Sequence, residues 1–152
     1  MSNVRKIPGP AAASDVVARV MAFYADFSRE SIHQIDEIYT QDVEFVDPVH
    51  RLTGSLASKI YMKNMAKNML HYEMRYLETI ATPDGAHLSW EMTVAHKRLN
   101  KAKPIVIRGM SLLKFTSRVY YHEDSYDLGA LVYEHVPLLG SVIRFLKNRL
   151  QA

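Results

Sequence analysis

Helices first, strands after: the chain reads as an α+β domain, a curved antiparallel sheet with helices across one face. Two rhythms and one kind of connection carry that reading. Apolar residues recur at helical spacing as far as residue 69, then at a spacing of two as far as residue 127. Short turns, not helices, join the strands, so a doubly wound parallel sheet does not fit. With 152 residues, 48% of them hydrophobic, one domain with a full core is expected.

Residues 1–13 hold two prolines and a glycine and read as a flexible arm, leaving residues 14–152 as the domain. Ser14 is placed to cap a first helix over 15–27. Val16, Val20, Phe23 and Phe27 form its apolar stripe, with Val17, Met21 and Tyr24 beside it. A shorter helix over 31–39 turns Ile32, Ile35, Ile38 and Tyr39 inward. A strand follows at 43–47. Gly54 and Ser55 open a third helix, 55–69, striped by Leu56, Ile60, Tyr61, Met65 and Met69.

The second half is a meander. "YEMRYLETI", 72–80, is a strand, and "TPDG" after it is a turn by composition. Over 86–97, Ala86, Leu88, Trp90, Met92 and Val94 share one face. "NKAKP" turns the chain into a long strand, 105–115, and "TSR" turns it into the last one, 119–127. Leu138, Val142, Leu146 and Leu150, spaced by four, predict a C-terminal helix over 138–150.

Several functions are excluded or disfavoured. The chain has no cysteine, so it has no disulfide and no thiolate chemistry. It has no Gly-rich phosphate loop and no Gly-X-Ser-X-Gly elbow. No cofactor is therefore expected. No stretch approaches the roughly 18 apolar residues of a membrane span, and the start lacks a signal-peptide core, so a soluble cytoplasmic protein is expected. The net charge of +3 is mild. Lys97, Arg98, Lys101 and Lys103 cluster at a turn, and Arg144, Lys147 and Arg149 at a helix end. Without a recognition motif, that pattern points to no nucleic-acid partner.

Asp47 is the first candidate for chemistry. It shares the greasy face of its strand with Val43 and Phe45. Aspartate before proline is a common turn starter, so it is either a turn cap or a pocket acid. Asp124 shares a face with Tyr120, His122 and Tyr126, and is either a strand-end acid or a second pocket acid. His122 is an inner hydrogen-bonded histidine or a catalyst, and His50 lines a pocket rim or is solvated. Asp47, His50, His122 and Asp124 could gather a metal on paper, but their spacing matches no ligand motif and no metal is expected. Trp90 and Met92 are core, or the wall of a cavity. Eight methionines suggest an adaptable wall and a small apolar ligand. On the other face of the long strand, Val106, Met110 and Leu112 accompany Arg108 and Lys114. That face suggests a homodimer through the sheet, or cover by the C-terminal segment. The C-terminal helix is expected to pack on its own domain, with an anionic membrane surface as the disfavoured alternative.

"YTQDVEFVDP", 39–48, followed by Gly54 and a helix, and "YHEDSYD", 121–127, together resemble the nuclear transport factor 2-like superfamily, in particular its SnoaL-like members. The resemblance covers roughly residues 14–127 and implies a cone-like α+β fold of the cystatin-like kind. "YEHVPLLGSVIRFLKNRL" lies beyond the usual end of that domain. Relatives include ketosteroid isomerases, polyketide cyclases, limonene epoxide hydrolases and binding domains without activity. The fold is therefore better specified than the chemistry.

In the isomerases the aspartate of the "DP" is the general base, and Asp47 matches it. An apolar setting disfavours a carboxylate's charge and makes it a readier proton acceptor. Their tyrosine on the first helix falls at Phe23, with Tyr24 one residue on, and their long-strand acid falls at Ser111. The cyclases carry an acid/base residue on the last strand, which Asp124 matches. The epoxide hydrolases pair an arginine with an aspartate on the long strand, whereas here Arg108 has no such acid. The resemblance implies a small apolar, oxygenated ligand and proton transfer beside a carbonyl by Asp47 and Asp124. Phe23, Tyr24, His50, Trp90, Met92, Ser111, His122 and Tyr126 would surround the ligand. A non-catalytic dimerising or ligand-sensing domain is the alternative.

Overall fold

The computed structural model describes residues 9–131 and 139–150. Helix α1 (Pro10–Ala25) is followed by a 3₁₀ turn (Ser31–Gln34), α2 (Ile35–Ile38), strands β1 (Tyr39–Val46) and β2 (Arg51–Thr53), and α3 (Ser55–Lys67). Then come β3 (Met69–Thr82), β4 (Gly85–His96), β5 (Ile105–Phe115) and β6 (Val119–Tyr126), with α4 (Leu128–Leu131) and α5 (Leu139–Leu150) after them.

The expected order of helices and strands holds, with corrections at the ends. α1 begins at Pro10 behind Gly9, not at Ser14, which lies exposed within the helix. Proline suits a first helical position because the amide it lacks would have no partner there. The predicted arm therefore loses its last residues to α1, and residues 1–8 lie outside the described residues. The predicted start of the C-terminal helix, residue 138, also lies outside them.

All six strands form one sheet in the order β2-β1-β6-β5-β4-β3. β3 to β6 are the expected antiparallel meander. β1 corrects the expectation of a purely antiparallel sheet, because it runs parallel to β6, with Phe45 opposite His122 and Val46 opposite Glu123. β2, a three-residue strand, pairs back on β1 and was not foreseen. α1 lays Val16, Val20 and Phe23 into the core, as its spacing requires, and Phe27, just past the helix end, is buried with them.

α3 is also rotated from its predicted stripe. Ser58, Met62 and Ala66 face inward, and Leu56 and Ile60 face out. Gly54 sets that entry angle at φ 97°, a backbone state that favours glycine, and the small Ser58 and Ala66 allow a close approach. The Ser58 hydroxyl donates to the Gly54 carbonyl at 3.1 Å.

The expected packing of α5 on its own domain is met on one side only. Gly140 is buried, while Ile143 and Lys147 are half-buried, and Lys147 is bonded to Asp127. Val142, Phe145, Leu146 and Leu150 are each more than half exposed. Val106 and Met110 are likewise exposed on the outer face of β5. Among the described residues no helix is long and apolar enough to cross a membrane.

Candidate active site

The sheet and helices enclose a cavity of about 100 Å³. Strand register explains which side chains reach it. Asp124 pairs with Ser111, Ser111 with Leu88, and Trp90 with Gly109, which in turn faces Tyr126. All of these except Gly109 line the cavity. The β1–β6 register, continued by one residue past Val46 and Glu123, brings Asp47 level with Asp124. Both carboxylates line the one cavity.

Asp47 turns out to do both things its sequence allowed. It is 8% exposed. Its Oδ1 accepts the backbone N–H groups of Val49 and His50, each at 2.7 Å, and so caps the turn. Its Oδ2 accepts the Tyr61 hydroxyl at 2.6 Å. Three donors thus satisfy this carboxylate.

Asp124 is held differently. Its Oδ1 accepts the Ser111 hydroxyl at 2.5 Å and lies 2.8 Å from His122 Nε2. Trp90 Nε1 donates to Ser111 Oγ at 2.9 Å, which orients that serine toward the acid. On the other side of the imidazole, Nδ1 lies 2.6 Å from the Tyr39 hydroxyl, and Tyr39 lies 2.5 Å from the Tyr24 hydroxyl. With Asp124 ionised and His122 neutral, the directions follow. Nε2–H donates to Asp124, Nδ1 accepts from Tyr39, and Tyr39 accepts from Tyr24. A chain of hydrogen bonds therefore runs from cavity-lining Tyr24 to cavity-lining Asp124 through a fully buried histidine. Among the described residues, Asp124 Oδ2 receives no hydrogen bond.

Phenols complete the wall. Burial raises the Tyr24 and Tyr39 hydroxyls well above the ordinary range. Tyr61 is raised by burial and then by its bond to Asp47. Tyr72 and Tyr76 are raised by burial, with the Asp124 charge adding to it, and Tyr126 by burial and the charges of both acids. Each therefore stays protonated and able to donate. Tyr72, Tyr76 and Tyr126 spend that donor on no described residue.

Of the residues expected around a ligand, Tyr24, Trp90, Met92, Ser111, His122 and Tyr126 line the cavity with the two acids. Phe23 does not. It is 2% exposed, packed edge-on to Tyr24 in the core, and the helix presents Tyr24 to the cavity instead. His50 does not line it either. It is exposed, its ring tilted against that of Tyr61 with centroids 4.6 Å apart, and its Nδ1 lies 3.5 Å from Asp47. No group of three or more metal-ligating side chains occurs among the described residues. Sequence reasoning missed Tyr39, Tyr61, Tyr72, Met74 and Tyr76. The last two and Tyr72 alternate in "YEMRY", which was a readable signal.

A six-stranded mixed sheet wrapped by helices around a cavity with two acids is an α+β fold of the nuclear transport factor 2-like kind. A family model described as SnoaL-like domain matches residues 20–118, and the chain belongs to that family. Solved structures agree on the fold. A candidate SnoaL-like polyketide cyclase from Jannaschia sp. CCS1 superposes with a TM-score of 0.69 at 10% identity, covering 81% of this chain and 92% of that one. An NTF2-like protein from Anabaena variabilis gives 0.67 at 10% identity, covering 78% and 91%. An epoxide hydrolase of the LEH-like kind from M. tuberculosis gives 0.65 at 12% identity, covering 78% and 87%. At such identities the likeness concerns the fold, and each neighbour's activity is its own. No curated protein matches the chain.

Proposed function

We propose that the cavity binds a small, largely apolar, oxygenated molecule and moves a proton beside its carbonyl, as an isomerase or cyclase does. One observation carries this reading. Asp124 holds Oδ1 in a bonded frame and leaves Oδ2 without a hydrogen bond at the cavity. That is the arrangement of a fixed base with a free lone pair. Asp47, with three donors on its oxygens, serves the turn and the field of the site rather than taking the proton.

In the proposed step, Asp124 Oδ2 removes a proton from the carbon next to the carbonyl. The C–H electron pair becomes the enolate, and its oxygen accepts a hydrogen bond from one of the unspent phenols of Tyr72, Tyr76 or Tyr126. The carboxylic acid so formed returns the proton to the same or another carbon, so the step is balanced without a co-reactant.

The test is exchange of α-protons into heavy water, followed by NMR, for small cyclic and aryl ketones. The wild type should exceed the buffer rate, and Asp124→Asn should lose about 10²–10⁴-fold. Asp47→Asn should keep most of the activity. Exchange by Asp124→Asn at the wild-type rate would remove Asp124 from the chemistry. Ketone binding without any exchange would favour the non-catalytic, ligand-sensing alternative.

A further inference from the structure

The charge balance of the cavity wall constrains what the cavity holds. Asp47 and Asp124 line it, and among the described residues no lysine or arginine does. Among the described residues, His122 is the only imidazole in the wall. A neutral His122 leaves two carboxylates uncompensated, and an imidazolium leaves one, so the described part of the wall is net negative either way. The ion-pair neighbour of Asp47 is His50, outside the wall and charged only when protonated. The field reaches across the cavity, since Tyr61, Tyr72, Tyr76 and Tyr126 all feel the Asp124 charge.

The rest of the wall is aromatic and soft. Tyr72, Tyr76, Trp90 and Tyr126 line it from three strands, and Met74 and Met92 join them from two of those strands. Ring faces attract cations, most strongly where water is thin. A carboxylate or phosphate ligand would meet like charge. A neutral ligand would leave buried Asp47 and half-buried Asp124 without a balancing cation. A compact organic cation answers both the rings and the acids.

We propose that the ligand carries a compact alkylammonium group, seated against Tyr72, Tyr76, Trp90 and Tyr126 and balanced by Asp47 and Asp124. The proposal rests on the cavity being a ligand site, as in the function proposed above, and not on proton transfer occurring there.

Three molecules of nearly one shape test it: choline, neohexyl alcohol (carbon in place of the quaternary nitrogen) and the anion of tert-butylacetic acid. The chain has a single tryptophan, Trp90, in the cavity wall, so its fluorescence reports each titration. Choline should bind at least tenfold tighter than neohexyl alcohol, and the anion should not bind. Asp124→Asn should shrink the preference. Tyr76→Leu should weaken choline binding and Tyr76→Phe should preserve it, which separates the ring face from folding. Equal or tighter binding of neohexyl alcohol, binding of the anion, or no response to choline would overturn the proposal. If ketones still exchange protons through Asp124 while choline fails, only the charge inference falls. If choline is preferred and no ketone exchanges, only the catalytic reading falls.

Discussion

Asp47 divides its oxygens between a turn and a cavity, and the two roles separate by substitution. Asp47→Ala removes an acceptor from two backbone amides and from Tyr61, at a cost of about 1–3 kcal/mol. Asp47→Asn keeps a carbonyl oxygen for the amides and should cost less than about 1 kcal/mol. Urea midpoints of the two variants decide it. Equal midpoints for Asp47→Ala and the wild type would mean that the cap contributes nothing. At this scale much of the site was legible, because period two alone sets Asp47, Trp90, Ser111, His122 and Asp124 inward. The partners were not legible. Tyr61 lies 14 residues from Asp47, and Tyr39 lies 83 residues from His122. No local rhythm announces a bond across that distance. Phe23 was misplaced for a related reason: Tyr24 lies only one residue further round the helix, and the packing of α1 decides which ring meets the cavity.

Between elements, β5 yields space to β4 at one point. A Cβ added at Gly109 would lie 2.2 Å from Trp90 Cη2, so the indole occupies the room a side chain would need. Gly109→Ala should force the ring aside and break its bond to Ser111, at about 1–3 kcal/mol. Because Trp90 is the only tryptophan, a changed emission maximum together with a lower urea midpoint checks this, and an unchanged spectrum would contradict it. The long strands were readable to within a few residues: β5 alternates along its eleven positions, β4 over most of its first half, and β3 from Tyr72 to Tyr76. α3 was misread because it carries apolar residues on two faces, and only tertiary packing chooses between them. β2 is three residues long and half exposed, too short to show any period.

The whole molecule keeps six phenols protonated in and around the cavity: Tyr24, Tyr39, Tyr61, Tyr72, Tyr76 and Tyr126. Unfolded, each would ionise near pH 10. The folded values are raised, so this stabilisation is complete below pH 10 and is lost as pH rises through the folded values. Stability should fall above about pH 10, by about 1.4 kcal/mol per pH unit for each phenol that ionises only on unfolding. Urea midpoints against pH, with phenolate absorbance alongside, measure it. Ordinary phenol titration in the folded protein would refute it. The order of elements was legible at this scale, but the parallel seam between β1 and β6 was not, since nothing local to either strand encodes its neighbour. That seam has a consequence in time. During synthesis β1 is made early, and the strand that must lie beside it is made only at residues 119–126. Until then one edge of β1 stands open, with only β2 to occupy the other. Contacts between residues so far apart in the chain are slow to find one another. Asp47 and Asp124 lie on either side of this seam, so a chain halted before residue 119 has most of the cavity wall but only one of its two acids.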